Sequence, residues 1–265
     1  MTSPRQALRS ALVVGALALT ATLAEAQART GKHPGVATLD RTVQPTPGPL
    51  PSFRAPTWTR TRLSNGADLV VAQKRDLPLV AVSINVVGGT HNFEPASRLG
   101  VAGFTAQMLS EGTTSRTGEE IADEQQLLGT QIFAGVGGES GTVGFTSLAS
   151  KLEPALALVA DMLVNPVFPA EALERLRGRA LVSLAQAKDQ PNTIASNAFA
   201  RVLYGDEHPY GRVASEQTVR AITREDVVEF HQAYFRPGRA VITVTGDVEP
   251  AQVRAVMERA LARWP

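Results

Sequence analysis

The stretch RLGVAGFTAQMLSEGT, residues 98–113, decides how the rest of this sequence is interpreted. Its apolar residues recur at roughly helical spacing and predict a helix. These residues are Leu99, Val101, Ala102, Phe104, Met108 and Leu109. Between them stand Gly103, Ala106 and Gln107, which offer almost nothing that could bind a metal, transfer a proton or attack a substrate. A well-organised helix thus carries almost no chemistry in its middle.

The composition indicates a globular protein with one sizeable core. The chain has 265 residues, of which 43% are hydrophobic and 19% charged. It contains no cysteine, which excludes disulfides, thiolate metal sites, lipid-modified cysteines and thiol nucleophiles. The formal net charge is +1 and falls to about zero if the N-terminal segment is removed. This charge gives no reason to expect nucleic acid or an anionic membrane as a partner.

Residues 1–28 have the pattern of a secretory signal peptide. Arg5 and Arg9 precede an apolar run over 11–23, and small residues alternate at 24–28 as they do at cleavage sites. A membrane anchor is the alternative, but the run falls short of the ~20 residues that a spanning helix needs. We expect cleavage and a periplasmic or secreted product, with no membrane contact beyond the export signal.

Residues 29–57 are rich in Pro and Gly and poor in large apolar side chains. Such a composition cannot bury a core, so it predicts an extended linker. A strap across the domain or across a partner is the alternative. The folded part is therefore expected to span 58–265.

Strand and helix patterns alternate irregularly along 58–265. Asn65-Gly66 predicts a hairpin turn, and Thr117 followed by Glu120 predicts a helix with a capping box. Strands are predicted at 79–89 and 239–247, a Gly-rich hairpin at 131–149, and helices at 117–130, 150–166, 169–191, 192–205, 223–235 and from 249 on. This order predicts an α+β domain with helices packed on a mainly antiparallel sheet. The segment GVGGESG (135–141) lies in a hairpin and not before a helix, which argues against a phosphate-binding loop.

Several phrases together resemble the pitrilysin (insulinase-type) metallopeptidases, which include the mitochondrial processing peptidases. They are LSNGADLVV (63–71), VSINVVGGTHNFEPASRLGVAGFTAQMLSEGT (82–113), ALALVADMLVNPVFPAEALERLRGRALVSLAQAKDQP (155–191), LYGDEHPYG (203–211) and FHQAYFRPGRAVITVTGDVEPAQV (230–253). They follow the order and spacing of the first domain of that family, from about Trp58 to Pro265. The resemblance implies a pitrilysin-like N-terminal domain.

The same resemblance shows what the opening helix lacks. Active members carry His-x-x-Glu-His there, two zinc ligands one turn apart with a general base between them. The matching positions here are Gly103, Ala106 and Gln107, and Ser183 stands where a glutamate normally supplies the third ligand. Zinc is expected in the family, yet all of its ligands and the base are missing from these positions. We therefore expect no cofactor, no catalytic residue and no peptidase activity by this chain alone.

The histidines offer no sequence pattern that would replace the missing ligands. The histidines are His33, His91, His208 and His231. None of them shares ligand spacing with another on one element, and His231 is expected to be a packed or surface residue on its helix. No Gly-x-Ser-x-Gly nucleophile motif is present.

The resemblance implies a role beside an active enzyme. In the family, two related halves enclose a peptide chamber, and commonly only one half keeps zinc. We expect a non-catalytic subunit that pairs with an active pitrilysin-like peptidase and contacts peptide substrates. The backbone of Phe133, Ala134, Gly135, Val136 and Gly137 is the candidate peptide-binding strand. The glycines of this hairpin fit close backbone approach, although a flexible hairpin explains them about as well.

Two alternatives stay open at this level. One is a stand-alone structural or assembly protein of the same fold. The other is an active zinc metalloendopeptidase with a rebuilt metal site.

Overall fold

The computed structural model describes residues 57–265 and, in addition, Gly48. Contacts divide the chain after Phe53, and every helix and strand given below lies in the second unit, Arg54–Pro265. The predicted signal peptide and nearly all of the predicted linker lie outside the described residues. Both segments and the predicted domain bounds therefore stay predictions. Within 57–265, no helix combines the length and the apolar character that crossing a membrane requires.

The strands form one six-stranded sheet in the order β1-β2-β6-β3-β5-β4. The strands are β1 (Trp58–Arg62), β2 (Asp68–Gln73), β3 (Leu79–Val87), β4 (Phe133–Val136), β5 (Ser140–Leu148) and β6 (Ala240–Gly246). The predicted Asn65-Gly66 turn joins β1 and β2, whose register pairs Arg62 with Asp68. Only β2 and β6 run parallel, and the other neighbouring strands are antiparallel. The predicted α+β class with a mainly antiparallel sheet is confirmed.

The predicted helices are present in the predicted order, and most of them are shorter than predicted. They are α1 (Thr90–Phe93), α2 (Val101–Met108), α3 (Gly118–Leu128), α4 (Leu152–Val164), α5 (Ala170–Ala187), α6 (Pro191–Tyr204), α7 (Glu216–Ala221), α8 (Arg224–Tyr234) and α9 (Pro250–Ala260). The capping box at the start of α3 is present, because Thr117 accepts from the backbone of Glu120 and Glu120 accepts from that of Thr117. This reciprocal pair satisfies two amides that the first turn would otherwise leave free.

Side chains on one face of the sheet enter a single core with the helices. Along β3, alternate residues such as Val80, Val82 and Ile84 are buried, whereas Ala81 is exposed and Ser83 is half-buried. This period of two is the one that a strand with one covered face requires. In the strand order, β6 and β3 lie at the centre of the sheet, and β1 and β4 form its two edges.

Two short helices differ from the sequence prediction. The segment around His91, for which no helix was predicted, contains the single helical turn α1. Helix α7 was not predicted, although Ser215 and Thr218 form its capping box. Both helices are too short to show a hydrophobic period, which explains why the pattern failed to reveal them.

Candidate functional site

The positions of the family's metal motif lie on α2, and Gly103 and Gln107 are one turn apart on the same face. Gln107 is exposed, and its Nε2 donates to the Gly103 carbonyl oxygen at 3.3 Å. A Cβ built on Gly103 would meet nothing within 4 Å, so a side chain would have room there. The helix thus keeps the spacing of the motif. Gly103 offers only a hydrogen atom and Gln107 an amide where the family's imidazole ligands are expected.

The remaining motif positions do not fit a zinc ion either. Ala106 is buried, with 1% of its surface exposed, and its methyl group cannot accept a proton. Ser183 is exposed on α5, a helix that contacts α2. A neutral amide and a hydroxyl are poor substitutes for imidazole and carboxylate at a zinc site. Within the part of the chain that the structure describes, no group of three or more His, Asp or Glu residues could hold a metal. The predicted loss of zinc stays a prediction, and no catalytic step is assigned to the metal.

The N-terminus of α2 is held by Glu94, which the sequence analysis did not single out. Its Oε1 accepts from the Gly100 amide at 2.8 Å and from the Ala102 amide at 3.0 Å. Burial raises the pKa of this carboxyl above its ordinary value, against the lowering effect of those two bonds. Gly100 itself lies in the left-handed region with φ of 108°, a conformation that glycine adopts without strain. The sequence signal for this role is an acidic residue shortly before the apolar residues that predict α2.

The loop after α2 is also anchored, by Asp161 on α4. Its carboxylate accepts from the hydroxyls of Thr113 and Ser115 at 2.7 and 2.8 Å, and from Arg116 at 2.8 Å. Burial works to raise the pKa of Asp161, but these hydrogen bonds prevail and lower it. Both ends of α2 are therefore held in place although its motif positions carry no ligands.

His231, which the sequence predicts to be either packed or on the surface, is packed. Its Nε2 lies 3.0 Å from the Leu163 carbonyl oxygen, and burial lowers the pKa of the imidazole. The ring is therefore neutral near pH 7 and donates its proton to that carbonyl. A histidine used in this way is occupied with packing and hydrogen bonding and does not belong to the α2 site.

The candidate peptide-binding strand lies at a sheet edge. β4 pairs with β5 alone, and within 57–265 no strand pairs with its other side. The Gly137 amide bonds to the Ser140 carbonyl at 2.8 Å, which makes this pair a hydrogen-bonded one. Because such pairs alternate along an antiparallel ladder, the backbone groups of Ala134 and Val136 point away from β5. These groups face the open edge.

Gly137 differs from the other predicted strand residues. β4 ends at Val136, and Gly137 begins the turn to β5. Its amide bonds to Ser140 and its carbonyl accepts from the Thr90 amide at 2.8 Å, so neither group faces the open edge. Phe133 to Val136 form the edge strand, and the turn accounts for the difference at Gly137.

The glycines of the hairpin serve different purposes. A Cβ on Gly144 would lie 2.7 Å from the Val82 carbonyl oxygen, and one on Gly138 would collide with the His91 ring. A Cβ on Gly135, by contrast, would meet nothing within 4 Å. Packing inside the domain therefore explains Gly138 and Gly144, whereas Gly135 leaves open space above the edge strand.

The edge strand runs beside the motif helix, since β4 and α2 are in direct contact. The side chains of Ala134 and Val136 are half-buried and pack against the core, while Phe133 is exposed. An extended peptide added to this edge would use main-chain hydrogen bonds and would lie close to α2. The structure thus places the candidate peptide-binding strand beside the helix that carries the positions of the metal motif.

A polar cluster at the end of the hairpin was missed entirely. Glu139, in the turn, accepts from the Tyr210 hydroxyl at 2.7 Å and lies 3.0 Å from His91 Nδ1. His208 packs on the other side of Tyr210, with ring centroids 5.0 Å apart. His91, Glu139 and the pair His208 and Tyr210 come from three separate segments of the sequence, and no short motif links the three segments.

Two family models match the described domain. Residues 69–211 match the insulinase model of peptidase family M16, and residues 221–265 match the model of the peptidase M16 inactive domain. An uncharacterized zinc protease of Mycobacterium leprae is 30% identical over 200 residues, which cover 75% of this chain and 44% of that protein. The chain thus spans about half the length of the curated relatives it matches.

Solved structures agree with the assignment. The peptidase M16 inactive domain from Pseudomonas fluorescens superposes with a TM-score of 0.73 and 28% identity, covering 79% of this chain and 51% of that one. The periplasmic protease PqqL from Escherichia coli, at 18% identity, shares the fold with a TM-score of 0.70, over 78% of this chain and 24% of that one. Since the first family model covers more than half of the sequence, the chain belongs to the insulinase family of peptidases, family M16.

Proposed function

We propose that this chain is a non-catalytic member of its family that binds extended peptides along the open edge of β4. One observation carries this proposal. The outer edge of β4 pairs with no strand within 57–265, and β4 contacts a helix whose motif positions hold no metal ligands. Strand addition needs main-chain amides and carbonyls rather than a particular side chain. Peptide binding therefore does not need metal ligands at Gly103 and Gln107, whereas zinc-dependent hydrolysis of peptides does.

The second part of the proposal is pairing with an active zinc peptidase of the same family, so that the two enclose a peptide chamber. Helix α6 supports this part, because it has no buried residue and exposes large apolar side chains. Phe199 is 67% exposed and Val202 is 87% exposed. Contiguous apolar surface of this kind is typical of protein interaction sites.

Export completes the proposal. The signal-peptide pattern of residues 1–28 supports a periplasmic or secreted protein. The Escherichia coli relative is itself described as periplasmic.

The pairing is tested by capture from the cells that naturally express the chain. The full chain, tagged at its C-terminus, is crosslinked and purified, and the bound proteins are identified by mass spectrometry. We expect a homologue that carries His-x-x-Glu-His. Repeated recovery of proteins unrelated to peptidases would instead favour an assembly role and overturn the pairing.

Peptide binding is tested at the edge itself. Ala134→Pro removes an amide that faces the open edge without breaking a bond to β5. Arg60→Pro is the matched control, since the bond from the Leu63 amide to the Ala67 carbonyl places the Arg60 amide on the outer side of β1. With a fluorescein-labelled β-casein fragment, we expect weaker binding for Ala134→Pro only. Equal affinities for both variants and the unchanged chain would contradict the proposal.

A further inference from the structure

The turn that ends the edge strand is fixed by contacts from two other parts of the chain. On one side, the Gly88 and His91 amides donate to the carbonyls of Glu139 and Gly138, at 2.9 and 3.2 Å. On the other side, the Tyr210 hydroxyl donates to the Glu139 carboxylate at 2.7 Å. The side chain of Glu139 is thus the point at which the hairpin meets the turn at Pro209–Gly211.

Aromatic rings lie beside this contact, although most of the Glu139 side chain is exposed to solvent. The rings of His91 and Tyr210 are 4.3 Å apart, and His91 Nδ1 lies 3.0 Å from Glu139. Tyr204, at the end of α6, packs edge-on against Tyr210 at 5.2 Å. The contact therefore joins the β4–β5 turn to α1 and to the end of α6.

We propose that Glu139 is a positioning residue for the peptide-binding edge: through Tyr210 and His91 it holds the turn that sets where β4 ends. The inference rests on the proposed function for its purpose, but the contact itself belongs to the unliganded chain. Ala134 and Val136 can present their backbone groups in register only if the turn directly after them does not shift. Backbone bonds from Gly88 and His91 hold one side of this Gly-rich turn, and the Glu139 side chain holds the other side.

The protonation states support the contact at neutral pH. The Tyr210 hydroxyl, followed by His91, lowers the pKa of Glu139, and the Glu139 carboxylate raises the pKa of Tyr210. The carboxylate is thus charged and the phenol protonated across the neutral range. The titratable groups that face the carboxylate are His91 on α1 and Tyr210 beside α6, with His208 and Tyr204 packed behind Tyr210.

Hydrogen exchange of the unliganded full chain tests the anchor without any peptide. Tyr210→Phe keeps the ring and removes the donor to Glu139. We expect exchange at the Gly88, His91 and Gly137 amides to accelerate by about threefold to tenfold. Tyr204→Phe is the matched control, because within the described residues its hydroxyl makes no hydrogen bond, and it should exchange like the unchanged chain.

Peptide affinity then tests the positioning role. With the β-casein fragment, Glu139→Ala should weaken binding by roughly threefold to tenfold, and Glu139→Gln should restore most of it because the amide oxygen still accepts from Tyr210. Unchanged exchange in Tyr210→Phe would overturn the anchor. Faster exchange with unchanged affinity in Glu139→Ala would overturn the positioning role, provided that the unchanged chain binds the peptide. Failure of the unchanged chain to bind would overturn the proposed function instead.

Discussion

Glu94 shows most directly how one side chain holds the helix that carries the family's motif positions. Its carboxylate satisfies two amides at the start of α2, the helix on which the metal motif is placed. Such amides have no partner within the helix, so a side chain that accepts from them stabilises the first turn. The position of the start of α2 therefore does not depend on Gly103 and Gln107.

Replacing Glu94 should destabilise the domain without affecting any chemistry. We expect Glu94→Ala to lower the free energy of unfolding by about 1–2 kcal/mol, which is typical for the loss of a helix cap. Glu94→Gln should lose less, because its amide oxygen still accepts from Gly100. Urea denaturation followed by circular dichroism measures both variants. Equal losses in the two would contradict the capping role.

The pH dependence of the same residue has a defined sign. Because burial raises the pKa of Glu94, the folded state binds its proton more readily than the unfolded state. This group therefore favours folding increasingly as the pH falls through the window above its ordinary pKa. Glu94→Gln should remove that part of the pH dependence.

At the scale of elements, the hairpin β4–β5 combines packing constraints with an open surface. Gly144→Ala should destabilise the domain by about 1–3 kcal/mol, because its Cβ would press on the Val82 carbonyl and on Phe133. Gly135→Ala, in the same hairpin, should have little effect because its Cβ meets nothing within 4 Å. Thermal unfolding of the two variants measures the difference. Comparable melting temperatures would show that the hairpin is loosely packed.

Elements with a local signal were predictable from the sequence. The Asn65-Gly66 turn, the Thr117–Glu120 capping box and the alternation along β3 depend on neighbours in the chain, and all three are present. Contacts between distant segments were not predictable in the same way. Glu139 meets Tyr210 across 71 positions, and Thr113 meets Asp161 across 48. Only the fold brings such pairs together.

The candidate site likewise has features that the sequence predicts and features that it does not. The resemblance places Gly103 and Gln107 on one helical face, and the structure puts them one turn apart. The edge position of β4, its contact with α2 and the departure of Gly137 into the turn depend on sheet order. Strand order is set by packing of the whole domain, so the hairpin pattern alone did not reveal it.

At the scale of the whole molecule, α6 exposes apolar surface that a partner could cover. The double variant Phe199→Glu, Val202→Glu should reduce self-association of the isolated chain, since exposed apolar patches favour non-specific contact. Asn197→Glu with Arg201→Gln changes the net charge equally on another side of the helix and should have less effect. Light scattering after size exclusion measures both. A larger effect of the control pair would point to charge instead.

The chain keeps the helix that carries the metal motif but lacks the motif's ligands. Zinc content of the purified full chain, measured by mass spectrometry after dialysis, tests this claim together with the variant Gly103→His, Gln107→His, Ser183→Glu. We expect no stoichiometric zinc in the unchanged chain. We expect about one zinc per chain in the triple variant, because three ligands suffice for a site of the catalytic type. Stoichiometric zinc in the unchanged chain, or none in a correctly folded triple variant, would contradict the account.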